Sequence, residues 1–276
     1  GQAGQGRGES GTDPGEFGGG SDEEDQQEMT VRLAHICRHP IKAYGREMLA
    51  SVRLSAGKGL PFDREWAIAH EAAKLAPGWN PCMNFTRGAK APALMAVTAS
   101  LDEATRRVTL AHPVAGEITV APDEPAEQVR LLTWADPLIP PGRARPAAVV
   151  RGGVAMTDSD FPSVSVLSLA SLAALSKQMG TDLSIHRWRA NLWLEGASPW
   201  AEWDWIGQRF RLGDAVLEVV ERITRCTATT VDPETGVVQG NTLAALETGY
   251  GHQDFGIYAR VIEGGEIALG QDWRAA

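Results

Sequence analysis

One stretch of this chain gathers residues able to do chemistry: Glu221-Arg222-Ile223-Thr224-Arg225-Cys226-Thr227-Ala228-Thr229-Thr230-Val231-Asp232-Pro233-Glu234-Thr235-Gly236. The apolar run Ala215 to Val220 before it reads as a strand that delivers the chain into a polar, hydroxyl-rich loop with a single cysteine. The thiolate is the form of cysteine that ligates metals or attacks electrophiles, and the flanking Arg222 and Arg225 favour it. Asp232-Pro233-Glu234-Thr235-Gly236 is a turn by composition, because proline restricts the backbone and glycine permits positive φ. The residues alone leave a second reading open, since an unpaired cysteine is often a buried core thiol. Cys37, Cys82 and Cys226 are widely spaced and odd in number, so they give neither a disulfide framework nor a C-x-x-C pair. The six histidines are scattered without zinc-site spacing.

Arg225-Cys226-x-x-Thr229-Thr230-Val231-Asp232-Pro233-Glu234-Thr235-Gly236 closely resembles the core motif of MOSC domains, in particular that of the mitochondrial amidoxime-reducing component and its bacterial relatives. The resemblance extends along the chain. His39-Pro40-Ile41-Lys42 looks like the opening motif of that family's N-terminal β-barrel region, and Asp63-Arg64-Glu65-Trp66 looks like the strand that follows. Arg187-Trp188-Arg189-Ala190-Asn191-Leu192 resembles a further family segment, with Ala190 in place of proline. Gly264 to Gly270 resembles the closing strands.

The resemblance implies a molybdenum–molybdopterin cofactor whose metal is ligated by Cys226, a soft thiolate of the kind such a metal accepts. It implies that Lys42, Arg64 and Arg189 anchor the cofactor, whose phosphate needs cations with directional donors. Asn191 is a candidate for the pterin edge or a brace for its own loop. Ser168, at a helix start, is a candidate phosphate contact or an ordinary N-cap. Thr224 is a candidate cofactor hydrogen bond or a tie between strand ends. Asp232 is a candidate for tuning the loop or relaying a proton, with a turn-forming role as its alternative. Ala43 departs from the serine that animal members carry after the motif lysine, which removes one phosphate contact and makes Lys42 the less secure cation.

These residues need elements to position them. Val31 to Ile36, Ser51 to Leu54, Trp66 to Ala69, Leu94 to Leu101, Val108 to Ala111, Glu117 to Val120 and Val129 to Leu132 read as short strands, as in a small barrel. Pro137 to Pro146 reads as a connection. Ser168 to Leu175 has helical spacing with a capping serine, and Gly180 ends that helix. Arg189 to Leu194, Arg209 to Leu212, Ala215 to Val220 and Tyr258 to Ile262 read as strands. The expected fold is α+β and β-rich: an N-terminal β-barrel-like subdomain over residues 29–140, packed on a MOSC β-barrel domain over 141–276 with few helices. Residues 1–28, glycine-rich and acidic, are expected to be a disordered leader introduced in cloning, with Met29 as the natural start.

The net charge of −9 and the lack of a basic stripe interleaved with aromatics argue against nucleic-acid binding. The longest apolar runs are too short and too polar to span a membrane, and no targeting segment follows Met29, so a cytoplasmic monomer is expected. Together with the resemblance, this points to an oxidoreductase that reduces small N-hydroxylated substrates. No intrinsic iron–sulfur cluster or flavin is expected, so electrons would come from a separate flavin or iron–sulfur donor protein. A different class of function stays open: a sulfur carrier with a persulfide on Cys226, as in the terminal domain of molybdenum cofactor sulfurase, or a non-catalytic cofactor carrier.

Overall fold

The computed structural model describes residues 30–276, so the expectation for residues 1–28 lies outside the described residues. The chain opens with β1 (Arg32–Arg38), β2 (Glu47–Leu49), β3 (Ser51–Leu54) and β4 (Ala67–His70). A meander follows, of β5 (Thr98–Asp102), β6 (Arg107–His112) and β7 (Gly116–Val120), and then α1 (Pro125–Ala135) and β8 (Pro146–Val150). The remainder comprises β9 (Val164–Ser168), α2 (Leu169–Met179), β10 (Leu192–Glu195), β11 (Arg209–Leu212), β12 (Ala215–Thr224), α3 (Thr242–Tyr250), β13 (Asp254–Glu263), β14 (Gly265–Ala268) and β15 (Trp273–Ala275).

Strand burial follows side-chain period. β6 alternates buried and open positions, as a half-buried strand must, whereas β9 is buried at every position and lies inside its sheet. The main sheet has eight strands in the order β15-β11-β12-β13-β9-β10-β1-β2. β9 and β10 pair in parallel, and the chain between them passes through α2. β1 pairs antiparallel with β10, so the first strand of the chain belongs to the same sheet as the later ones. Smaller sheets pair β14 with β3 and β4 with β8, beside the three-stranded meander.

The protein is thus β-rich with three α-helices among the described residues, as expected, but the barrel is not closed: β15 and β2 are the two edges of the main sheet and do not pair. A second correction concerns Val129 to Leu132, which lies within α1 rather than in a strand. Four apolar and polar residues cannot fix a period, and Pro125 in the first helical turn together with buried Leu131 and Ala135, four apart, decides for helix. α2 obeys its sequence signals at both ends: the Ser168 side chain accepts from the Ser171 amide, and Gly180 closes the helix in the left-handed region at φ 67°.

The three largest apolar clusters among the described residues hold most of these pieces. One lies within the main sheet (Leu33, Val166, Leu192, Leu217, Ile257), one beneath the meander and α1 (Ile41, Trp66, Leu110, Leu131), and one between α2, α3 and the sheet (Leu172, Trp188, Trp193, Leu246, Phe255). Tryptophans near the end of β10 enter this packing: Trp200 stacks on Trp203, and Trp205 packs with Phe210 and Trp273. β12 has register shifts against β13 after Val216, Val219 and Arg222, and such bulges re-aim the end of the strand that leads to Cys226.

Candidate functional site

Two N-terminal loops are laced together before either cation can be placed. The Arg64 amide donates to the His39 carbonyl (2.7 Å), and the Lys42 amide donates to the Trp66 carbonyl (2.8 Å). The His39 amide donates to Asp63 Oδ1 (2.8 Å), and His39 Nδ1 lies 3.2 Å from the same oxygen. Both side chains are essentially inaccessible. Burial holds His39 well below the usual imidazole range. Burial would raise the Asp63 carboxyl, but the Arg64 guanidinium bonded to it outweighs that and keeps it ionised.

Arg64 also donates from Nη2 to the Arg189 carbonyl (2.7 Å), which joins segments 125 residues apart. Arg189 ends the short 3-10 turn Ile185–Trp188 in the left-handed region at φ 48°, and its Nη1 donates to the Gly45 carbonyl (3.1 Å). Asn191, just beyond, is buried. Its Oδ1 accepts from the Ser165 amide and hydroxyl (3.1 and 2.9 Å), while its Nδ2 donates to the Cys37 carbonyl (3.3 Å), bracing β9 against β1. Thr224, the last residue of β12, donates to Asp254 on β13 (2.7 Å). Two residues on, Cys226 is exposed, so its thiol is not a core thiol.

Lys42, Arg64, Arg189, Asn191, Thr224 and Cys226 line one cavity, which contains about 970 Å³ of non-atom space including its open mouth. Two candidates lie elsewhere. Ser168 is fully buried and caps α2. Asp232 does not line the cavity: it accepts from the Glu234 amide and the Thr235 hydroxyl (3.0 Å each), which closes the turn after the cysteine loop. Arg46 docks that turn on the rest of the protein, donating to the carbonyls of Met95 (3.0 Å) and Pro233 (3.1 Å) and to Glu234 (2.8 Å).

The cavity also holds residues that sequence reasoning did not single out as binding groups. Arg225 turns inward, donating to the carbonyls of Phe255 (2.8 Å) and Trp188 (3.0 Å), whereas Arg222 turns away onto the Trp203 ring. Arg222 and Arg225 lie on either side of the last register shift of β12 against β13, so no simple alternation along the sequence separates them. Arg87, Arg187, Asp158 and Tyr258 complete the set. Arg87 donates to the Cys82 sulfur (2.9 Å).

Six basic side chains (Lys42, Arg64, Arg87, Arg187, Arg189, Arg225) face one carboxylate, Asp158, in a chain whose net charge is −9. Such a local reversal of sign draws an anion from solution. Burial, reinforced by the charge on Arg64, pushes Arg189 down to about 9, and burial pushes Arg225 down to about 10. Both stay charged at neutral pH, but at a cost that an anion would relieve. Arg189 Nη2, Arg225 Nη2 and Arg187 Nε are buried donors without a protein partner, and buried donors are ordinarily satisfied. Backbone strain gathers at the same place: among the described residues Ala43, Arg64 and Arg189 are non-glycine residues of positive φ, and all three line the cavity. The donor set therefore fits a phosphate-bearing group, in a cavity whose wall also includes Cys226.

Residues 155–274 match the family model of the MOSC domain. The matched span holds Asp158, Arg189, Arg225 and Cys226, with Lys42 and Arg64 contributed from before it. Human mitochondrial amidoxime-reducing component 1 is 36% identical over 80 residues, 29% of this chain and 23% of that protein. The mouse protein of the same name is 32% identical over 111 residues, 40% of this chain and 32% of that protein, and bovine mitochondrial amidoxime reducing component 2 is 35% identical over 79 residues. These matches span about a quarter to a third of the length of the relatives. The crystal structure of the YuaD protein from Bacillus subtilis superposes over 89% of this chain and 94% of that one, with a TM-score of 0.44 and 12% identity. Among the described residues no helix is long and apolar enough to cross a membrane.

Proposed function

We propose that this protein is a molybdenum-cofactor-binding oxidoreductase that reduces small N-hydroxylated substrates. The observation that carries the reading is the cluster of cations, three of them with unpartnered buried donors, in one cavity with an exposed cysteine. The names of the amidoxime-reducing relatives support the same reaction class. Bound in this cavity, the cofactor would supply a redox metal able to take the oxygen from an N–O bond, with two electrons and two protons converting N–OH to N–H and water.

The chain's own residues divide the remaining work. Lys42, Arg64, Arg189 and Arg225 neutralise the cofactor phosphate, and the guanidinium forks orient it. Asn191 ties β9 to β1 across β10, and the Cys226 thiolate would hold the metal. Tyr258 lines the same wall, and burial pushes its hydroxyl up to about 12, so it stays protonated and offers a proton donor. The first part of the chain, read as a subdomain over 29–140, brings Lys42 and Arg64, and the second, over 141–276, brings Arg189 and Cys226. Electrons come from a separate flavin or iron–sulfur protein.

The test is elemental analysis for molybdenum in protein from a cofactor-competent host, beside Cys226→Ala. Stoichiometric metal in the wild type that falls in the variant, with reduction of an N-hydroxylated substrate by a chemical reductant, supports the reading. A folded wild type without metal overturns it, and persulfide on Cys226 in that protein would assign a sulfur carrier instead.

A further inference from the structure

Between β8 and β9 the chain runs from Arg151 to Ser163 as a strap without helix or strand. It carries Asp158, the one carboxylate that lines the cationic cavity. Lys42 holds the strap at two points: its Nζ donates to the Met156 carbonyl (2.7 Å) and to Asp158 Oδ1 (2.6 Å). The Met156 amide donates to the Arg64 carbonyl (2.9 Å), and Trp79 Nε1 donates to the Thr157 carbonyl (3.0 Å). The strap's opposite face walls a second cavity, lined by Phe62, Trp79, Val154, Phe161 and Pro162.

The two halves of the Lys42–Asp158 pair differ sharply in accessibility. The lysine side chain is 5% exposed and the aspartate side chain 58% exposed. The buried ammonium needs an anion, whereas the carboxylate that serves it reaches water and loses little on release. A phosphate carries more acceptor oxygens and more charge than one carboxylate, and it would also engage the unpartnered donors of Arg189 and Arg225.

We infer that Asp158 is an internal anion surrogate: it occupies Lys42 until an anionic ligand enters the cavity, and its displacement frees the strap at that one point. This rests on the reading that the cavity binds a phosphate-bearing ligand. The surrogate makes the competent state a fraction of the population, which weakens apparent affinity by that fraction. It also couples ligand binding to the wall of the second cavity, through the backbone that Trp79 grips.

The test is calorimetric titration of the full chain with inorganic pyrophosphate, for the wild type, Asp158→Asn and Asp158→Ser, each matched by circular dichroism. Fluorescence is followed in parallel with Trp79→Phe as the control. Removing the surrogate charge is expected to tighten pyrophosphate binding about tenfold in whichever of the two variants folds. Pyrophosphate is expected to change the emission less in Trp79→Phe than in the wild type, the remaining change coming from Trp188 in the anion cavity, and equal changes in the two overturn the coupling. Wild-type binding with equal or weaker binding by the variants overturns the surrogate and leaves the anion cavity standing. No binding by any of them overturns both.

Discussion

At the residue scale, Arg189 shows how function is written against local preference. A left-handed backbone costs a non-glycine residue about 1 kcal/mol or more, and this one also buries a guanidinium beside that of Arg64. Glycine would suit the backbone better, so the arginine is kept for its side chain. Arg189→Gly is therefore expected to keep its thermal midpoint within a few degrees, because relief of strain and desolvation offsets the lost bond to the Gly45 carbonyl. Pyrophosphate affinity should fall about tenfold or more, as removal of a charge-assisted contact predicts. A calorimetric titration giving wild-type affinity would remove Arg189 from the site. In the sequence its position after Trp188 gave no hint of this strain, since φ is not readable from residue type unless the residue is glycine.

At the element scale, the cysteine loop is held by what lies at both ends. β12 delivers it through a bulged register, and the Asp232–Gly236 turn docks it against the 92–97 segment through Arg46. Gly236 has φ 69°, and a Cβ there would stand 2.8 Å from Ala93 Cα. Gly236→Ala must strain the turn or lift it off, at an expected cost of about 1–3 kcal/mol. Urea unfolding should show that loss as a lower midpoint with unchanged slope, and an unmoved midpoint would mean that the turn is not packed there. The turn was legible from composition, while its docking on Ala93 and Arg46 was not, because nothing in a five-residue pattern says what packs on it. The misreading of α1 has the same root: Val129 to Leu132 is too short to show a period, and the deciding residues, Pro125 and Ala135, lie outside it.

At the scale of the whole molecule, the His39–Asp63–Arg64 network ties the N-terminal loops to the cavity and makes stability depend on pH. Folded His39 is neutral because burial lowers its pKa, so between the ordinary imidazole value of 6.5 and its folded value the unfolded chain binds more protons. The stability this contributes is present above pH 6.5 and is lost as the pH falls below it. Asp63 acts in the same direction at lower pH, since its folded pKa also lies below the unfolded one. His186, pushed down to about 4 by burial, adds a like term. His39→Asn should therefore flatten the rise of stability between pH 4 and 6 by up to about 1.4 kcal/mol per unit, one proton's worth. Denaturation midpoints measured across that range check the slope, and parallel profiles for wild type and variant would show that His39 is not neutral in the fold.

The sequence by itself determined what depends on neighbours along the chain: the strand that leads to Cys226, the turn at Asp232, the serine and glycine that bound α2, and the motifs around Lys42, Arg64 and Arg189. Tertiary structure alone decided which of these meet, and what joins them. Lys42 and Asp158 are 116 residues apart, and nothing in the strap's residue types marks Asp158 as the carboxylate facing six cations. Arg225 turns inward onto the Phe255 and Trp188 carbonyls while Arg222 lies on the Trp203 ring, and the main sheet stays open because its edge strands do not pair. Local patterns encode backbone state and period, whereas convergence of side chains on a cavity is set by long-range pairing that no single window of sequence contains.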